Sequence, residues 1–397
     1  MRIGVVVDNE FDQDVRVRGQ HAILEETFGS VPVLCYDLGS EELRESKNIE
    51  RLKVNRKWRN RWFGLQNRWD KYSHFWGKAI AKFVRDHELD VIHVHDLYMA
   101  KAAKIGVNGL DCKIILDLHE NYPASVLTQT WVKNGLKGFL ANASKWSKKE
   151  PKFLAMADHI ITLSDHFALS LSTKYKISSD RFTAIPNVPN MDSYDLKVEA
   201  IPDAERITLC YYGGVSERRG VLWLMQKFIE NDLQSKFKLK LIGPIDASDK
   251  AEFDKLLIAA GSSCEYVKWI TNRDLGTHLS DVHIGLCPID KNPQHESGVA
   301  NKVYQYMMFG RPVLVSNCDP QKELVEKYSC GFSYIARDER SFLECLELVE
   351  NTSLEDLISM GANGRNAVND ELNLKKVQAD LIEIYRGLAT DLAVDFP

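Results

Sequence analysis

Residues 295–316 read HESGVANKVYQYMMFGRPVLVS, and their reading decides the fold. From Val299 onward Val303, Tyr306, Met307 and Gly310 recur at helical spacing, while Asn301, Lys302 and Gln305 fall together on the opposite face. Gly310 stands where a helix closes in a left-handed residue, and Pro312-Val313-Leu314-Val315 follows as a short strand buried on both faces. Ahead of the helix, Ser297-Gly298 leaves backbone N–H groups at the positive end of the helix dipole, where an α/β protein holds a phosphate. The same spacing also fits an ordinary amphipathic helix whose polar residues are solvated, so the surroundings decide between them.

On both sides, apolar runs of strand length recur between helix-length segments. One set lies at 3–7, 31–36, 91–94, 114–118, 160–163 and 183–185, and a second at 207–212, 237–242, 265–269, 282–287, 313–316 and 332–335. Such alternation predicts parallel sheets with helices on both faces. Pro186-Asn187-Val188-Pro189-Asn190 and the acidic stretch to Ala204 read as the linker between the sets. The expectation is an α/β chain of two Rossmann-like lobes, 1–195 and 196–373. Val377, Leu381, Ile384 and Leu388 give 374–397 a closing helix that returns to the first lobe. Lobes of this kind take their ligand in a cleft at the carboxyl ends of the strands.

At 397 residues the chain exceeds the size at which one core keeps growing, which agrees with two lobes. A composition of 44% hydrophobic and 27% charged residues is that of a globular chain, and a net charge of -5 argues against a general nucleic-acid binder. The eight cysteines show no zinc or redox spacing and are expected as buried, reduced thiols in the cytosol. The run 3–7 is too short for a signal-peptide core, and no stretch is long and apolar enough to span a membrane.

Chemistry gathers where the runs end. The second lobe opens on Tyr211-Tyr212-Gly213-Gly214-Val215-Ser216-Glu217-Arg218-Arg219-Gly220. Its glycines admit a ligand to the backbone and its arginines fork onto phosphate oxygens, although a plain glycine turn with surface arginines fits as well. The spacing is neither the dinucleotide fingerprint nor a P-loop. In the first lobe a polar loop, 8–18, enters a helix; Arg16 and Arg18 either hold an anionic acceptor or pair with Asp12 and Asp14. His93, His95 and Asp96, then Asp117, His119 and Glu120, lie at the ends of two buried runs, where imidazole and carboxylate orient a hydroxyl or share a proton. The two-histidine helix spacing of a zinc protease is absent, and no metal site is expected. Finally, 51–82 interleaves arginines and lysines with Trp58, Trp62, Trp69, Tyr72, Phe75 and Trp76, and 131–149 repeats the mix. This suits a peripheral anionic membrane surface, or core aromatics with solvated cations.

Taken together, these residues resemble the retaining glycosyltransferases of the two-lobed GT-B fold, in the group 1 (family 4) set. Asp14-Val15-Arg16-Val17 is similar to the Asp-x-Arg-Val of many such first lobes. His95-Asp96-Leu97-Tyr98 and Asp117-Leu118-His119-Glu120-Asn121-Tyr122-Pro123 resemble their paired acceptor-side loops, and 157–164 with Ile185-Pro186-Asn187 the end of that lobe. Asn301-Lys302-Val303-Tyr304-Gln305-Tyr306-Met307 and Gly310-Arg311-Pro312-Val313 resemble the Asn-Lys-x-x-Glu-Tyr-Met-x-x-Gly-x-Pro-Val helix of the donor lobe. The resemblance covers nearly the whole chain and is weakest over the basic aromatic insert. It departs at the donor site. The family's second glutamate falls on Gln305 and its first on Ser297, with Glu296 beside it; its lysine before glycine is Arg219, and its upstream arginine falls on Gly214.

The resemblance implies transfer of a sugar, with retention, from a nucleoside-diphosphate sugar to a hydroxyl of a glycan or lipid-linked glycan, in surface-polysaccharide synthesis. The nucleotide sugar is co-substrate, with no further cofactor and no nucleic acid. The enzyme is expected in the cytoplasm, with anionic membrane contact through 51–82 and 131–149. His119, Glu120, Arg219 and Lys302 carry catalysis in this reading. Gly213, Gly214, Arg218, Ser297, Gly298, Asn301 and Gln305 hold the donor, and Asp14, Arg16, His95 and Asp96 form the acceptor side. An uncharged Gln305 accepts weaker hydrogen bonds than a glutamate. That keeps two other readings open: a catalytically degenerate GT-B protein that binds a nucleotide sugar or a partner, and a nucleotide-sugar epimerase.

Overall fold

The computed structural model of the chain describes residues 1–40, 48–65, 70–128, 143–197, 200–392 and 396. These form two compact units, one of Met1–Pro186 with Val377–Pro397, the other of Asn187–Lys376. In the first, the described strands are β1 (Ile3–Val6), β2 (Val33–Asp37), β3 (Ile49–Lys53), β4 (Val91–His95), β5 (Lys113–Asp117), β6 (His159–Thr162) and β7 (Phe182–Ala184). They form one parallel sheet in the order β3-β2-β1-β4-β5-β6-β7. The second unit has β8 (Ile207–Tyr212), β9 (Phe237–Ile242), β10 (Cys264–Val267), β11 (Ile284–Cys287), β12 (Val313–Ser316) and β13 (Gly331–Tyr334), also parallel, in the order β10-β9-β8-β11-β12-β13. Each sheet reverses its order once, between β1 and β4 and between β8 and β11. Loops leaving those strands diverge to opposite faces, which opens a crevice at the carboxyl edge. The α/β architecture is the one the sequence predicts.

Strand ends differ from the predicted runs by at most two residues. The exception is β3, an edge strand paired with β2 from Val33↔Ile49 to Asp37↔Lys53, which sequence reading did not recognise and whose second half falls in the basic segment 51–82. The helices of the first unit include α1 (Val15–Phe28), α2 (Arg56–Leu65) and α3 (Lys71–Asp86). The alternating acids of the first loop meet cations of β3 and α2. Arg51 pairs with Asp12 at 2.8 Å, Arg56 with Glu10 at 3.3 Å, and Arg59 with Asp8.

The basic aromatic segment therefore splits. Tyr72 and Trp76 are buried in the core, whereas Trp58, Trp62 and Phe75 are exposed. Residues 66–69 and 131–142 lie outside the described residues. Of the second patch, Trp146 is buried, with the Lys149 ammonium 5.0 Å from its ring centroid. All eight cysteines are free and buried, and burial pushes thiols such as Cys210 and Cys345 up to about 12, so they stay protonated. Among the described residues no helix is long and apolar enough to cross a membrane.

Candidate active site

Register builds the first unit's site. β4 and β5 align His95 with Asp117, and β1 aligns Val5 with His93, so two imidazoles and a carboxylate come together near the carboxyl edge. Asp117 is fully buried. Burial opposes its ionisation, but the Arg16 guanidinium and the neighbouring His93 and His95 imidazoles outweigh that and hold the carboxyl well below its usual range. Arg16 grips it in a fork, Nη2 to Oδ1 at 2.8 Å and Nε to Oδ2 at 3.1 Å, and Gln20 donates to Oδ2 at 2.9 Å. Arg16 Nη1 donates to the Ile185 carbonyl at 3.1 Å. Arg16 therefore braces the sheet edge from within, and Asp14 caps α1 by accepting the Val17 N–H at 3.1 Å.

Behind His119 stands a buried histidine pair. His95 Nδ1 lies 2.9 Å from His119 Nε2 and 3.6 Å from the Asp117 carboxylate; burial pushes His95 down to about 3, leaving it neutral at physiological pH. His93 stacks on His95 with ring centroids 4.7 Å apart, and its Nδ1 is 2.8 Å from the Tyr385 hydroxyl of the helix Leu374–Leu392. His119 itself is partly exposed, with Nδ1 3.9 Å from Asp14. Asp96 holds a backbone φ of 73°, a strained value for a residue with a Cβ. Its carboxylate accepts from the Tyr98 hydroxyl at 2.9 Å, and burial pushes its pKa up. Glu120 follows His119 at the same edge, half-buried. His93, His95 and Asp117 bring three ligand atoms within 4.8 Å of one another. A metal cation there would have to displace the Arg16 guanidinium, so the group reads as an ion-pair network.

In the second unit, β8 runs into Gly213 and Gly214, then a short turn Glu217–Arg219 and the helix Val221–Glu230. Gly220, at φ 75°, lies so close to the loop after β11 that a Cβ would stand 1.8 Å from the Pro288 carbonyl oxygen. Gly213, at φ 127°, leaves room for Lys302, whose Nζ would be 3.2 Å from a Cβ placed there. Lys302 is buried, its ammonium 3.8 Å from the Tyr211 ring centroid. Among the described residues no carboxylate lies within ion-pair distance of it or of Arg219. Arg218, by contrast, faces Asp246 at 3.9 Å on the surface.

The helix Asn301–Met308 starts after Ala300 with no side-chain cap, Asn301 exposed at its first turn. Of the three polar residues that sequence reading set on a free face, Lys302 and Gln305 are buried and Asn301 alone is exposed. Gln305 Nε2 donates to the Tyr194 hydroxyl at 2.7 Å, which leaves Oε1 as its acceptor. Ser297 turns its hydroxyl to the Gln294 carbonyl at 2.6 Å, and Gly298 is extended. Glu296 accepts the Asp319 N–H at 3.0 Å, at the start of the helix Asp319–Tyr328.

Sequence reasoning missed Gln20, Tyr385 and Tyr194 as parts of these networks. Tyr385 lies one residue past Ile384 in a helix read for its packing alone, and its histidine partner is distant in sequence.

Each unit is a Rossmann-like parallel sheet with polar and charged groups at its switch point, the fold of the GT-B glycosyltransferases. The sequence model for Glycosyltransferase Family 4 matches residues 30–192, and that for Glycosyl transferases group 1 matches residues 206–351. The chain belongs to this glycosyltransferase family. Its fold is similar to that of a sucrose-phosphate synthase from Thermosynechococcus elongatus, with a TM-score of 0.75 at 13% identity over 98% of this chain and 100% of the other. A glycosyltransferase from Rickettsia africae gives 0.70 at 14% over 98% and 99%. Anabaena HepE, solved in complex with UDP and glucose, gives 0.65 at 11% over 97% and 99%. No curated protein matches the sequence.

Proposed function

We propose that the protein transfers a sugar, with retention, from a nucleoside-diphosphate sugar to a hydroxyl of a glycan or lipid-linked glycan. The observation that carries this reading is Lys302, a largely buried side chain whose ammonium is set under a glycine turn against an aromatic ring, with no carboxylate within ion-pair distance among the described residues. A cation held in place without a counter-ion favours a bound anion. Lys302, Arg219 and the uncapped amides at Asn301 oppose the negative charge that grows on a departing diphosphate. Gln305 Oε1 accepts from a ribose hydroxyl. His119 and Glu120 orient the acceptor hydroxyl, with neutral His95 fixing the His119 ring. The complex of HepE with UDP and glucose supports a donor of this kind. The exposed aromatics among the cations of α2 and α3 support an acceptor met at the cytoplasmic face of a membrane, in surface-polysaccharide synthesis.

The amide at Gln305 favours a second reading, nucleotide-sugar binding without transfer. Incubation with UDP-, ADP- and GDP-sugars and membrane extract separates the two. Transfer releases the nucleoside diphosphate and fails in Lys302→Met; bound donor with no release supports binding alone.

A further inference from the structure

Trp58 and Trp62 sit one turn apart on α2, ring centroids 6.2 Å apart and planes 29° from parallel, and Phe75 stands on α3. They are 57%, 36% and 45% exposed, an apolar patch that solvation alone does not explain. With them, Tyr36 and Tyr72 line a groove of about 650 Å³, within the range of pockets that bury one small ligand. Lys53, Lys71 and Lys78 line it as well, and among the described residues no carboxylate does. Among the described residues Lys53 and Lys78 have no carboxylate within ion-pair distance. The groove also joins the acceptor loop. Tyr72 donates to the Asp8 carboxylate and Arg59 pairs with it, and Asp8 is near enough to Asp96 to feel its charge.

A free phosphate has no use for three wet aromatic rings, and a neutral lipid has none for the lysines. One ligand class satisfies both, an apolar chain ending in a phosphate. We infer that the groove between α2 and α3 binds a single lipid phosphate, chain against Trp58, Trp62 and Phe75 and phosphate on the lysines, and so holds a lipid-linked acceptor beside Asp96. This rests on the transfer reading and names its acceptor class.

The test is calorimetric titration of the full chain with dodecyl phosphate below its micelle concentration, with inorganic phosphate, dodecyl maltoside and anionic vesicles as comparators. One molecule should bind per chain. The Trp58→Ser/Trp62→Ser variant and the Lys53→Glu/Lys78→Glu variant should each bind about tenfold or more weakly. Thermal melts check that these exposed substitutions leave the fold intact. Absence of saturable binding overturns the inference. So does equal binding of inorganic phosphate or of the maltoside, or binding to vesicles with none to the monomeric phosphate. UDP, ADP and GDP titrated into the same preparation read the second unit independently. Diphosphate binding with no lipid-phosphate binding removes the acceptor class alone, whereas loss of diphosphate binding strikes the transfer reading.

Discussion

The two units place their sites at the same kind of switch point and leave them in opposite electrostatic states. In the first, buried Asp117 has Arg16, and buried Asp8 has Arg59. In the second, buried Lys302 has the face of Tyr211 and no carboxylate among the described residues. A paired network is complete without a ligand and acts as a scaffold that fixes His119. An unpaired ammonium is incomplete until an anion arrives. Substitutions at the two places should therefore fail in different ways.

The largest effect falls on the scaffold. Arg16→Leu strands a buried carboxylate, and urea denaturation should show the first unit destabilised by about 3–5 kcal/mol. A loss under 1 kcal/mol would mean the pair is solvated and the contrast false. Lys302→Met should reverse the pattern. Removing an unpaired charge leaves stability unchanged or raised, while turnover falls by about two to three orders of magnitude, as when a donor to developing charge is lost. Matched losses of stability and rate would erase the distinction.

A smaller effect concerns pH. Folded His95 titrates near 3, against roughly 6.5 in an unfolded chain. Across that window the unfolded state binds the extra proton, so His95 makes stability rise with pH and then level off above roughly 6.5. His93, pushed down by burial, acts in the same direction, and Asp117 does so at lower pH. Asp8, raised to about 6 by burial, opposes them between roughly pH 4 and 6. His95→Asn should flatten the slope by about 1.4 kcal/mol per pH unit between roughly pH 4 and 6. Urea melts at several pH values read this directly, and an unaltered slope would show that His95 is not held neutral.

The smallest effect sharpens the donor side. Gln305→Glu should strengthen the hydrogen bond to a ribose hydroxyl and tighten donor binding about threefold to tenfold, since a charged acceptor bonds more strongly. Weaker binding would show that the Tyr194 contact, and not the acceptor oxygen, is what Gln305 contributes.

The same contrast between covered and uncovered residues explains what was legible in the sequence. Both sheets were in outline, because strands such as Ile3–Val6 and Ile284–Cys287 are buried throughout and so read as unbroken apolar runs. β3 was not. It lies at the sheet edge, where Glu50, Arg51 and Lys53 are tolerated, and the charges masked the strand. The glycine turn and Lys302 were visible as residue types, but burial of Lys302 and Gln305 was not, since helical spacing assigns faces without saying what covers them. Pairing was the least legible feature. Asp117 meets Arg16, and His93 meets Tyr385, only through the crossovers of the sheet and the return of the last helix. Sequence reading gave Arg16 an acceptor or a loop acid for a partner, and the structure gives it a buried aspartate and a backbone carbonyl.

The central claim is that Lys302 is held for a diphosphate, and calorimetric titration of UDP, ADP and GDP into the wild-type chain and Lys302→Met tests it most directly. At least one nucleoside diphosphate should bind the wild type, and the variant, equally folded, should bind it about a hundredfold more weakly. Affinities within about threefold of each other would contradict the account and leave the Lys302 side chain as a packing element on Tyr211.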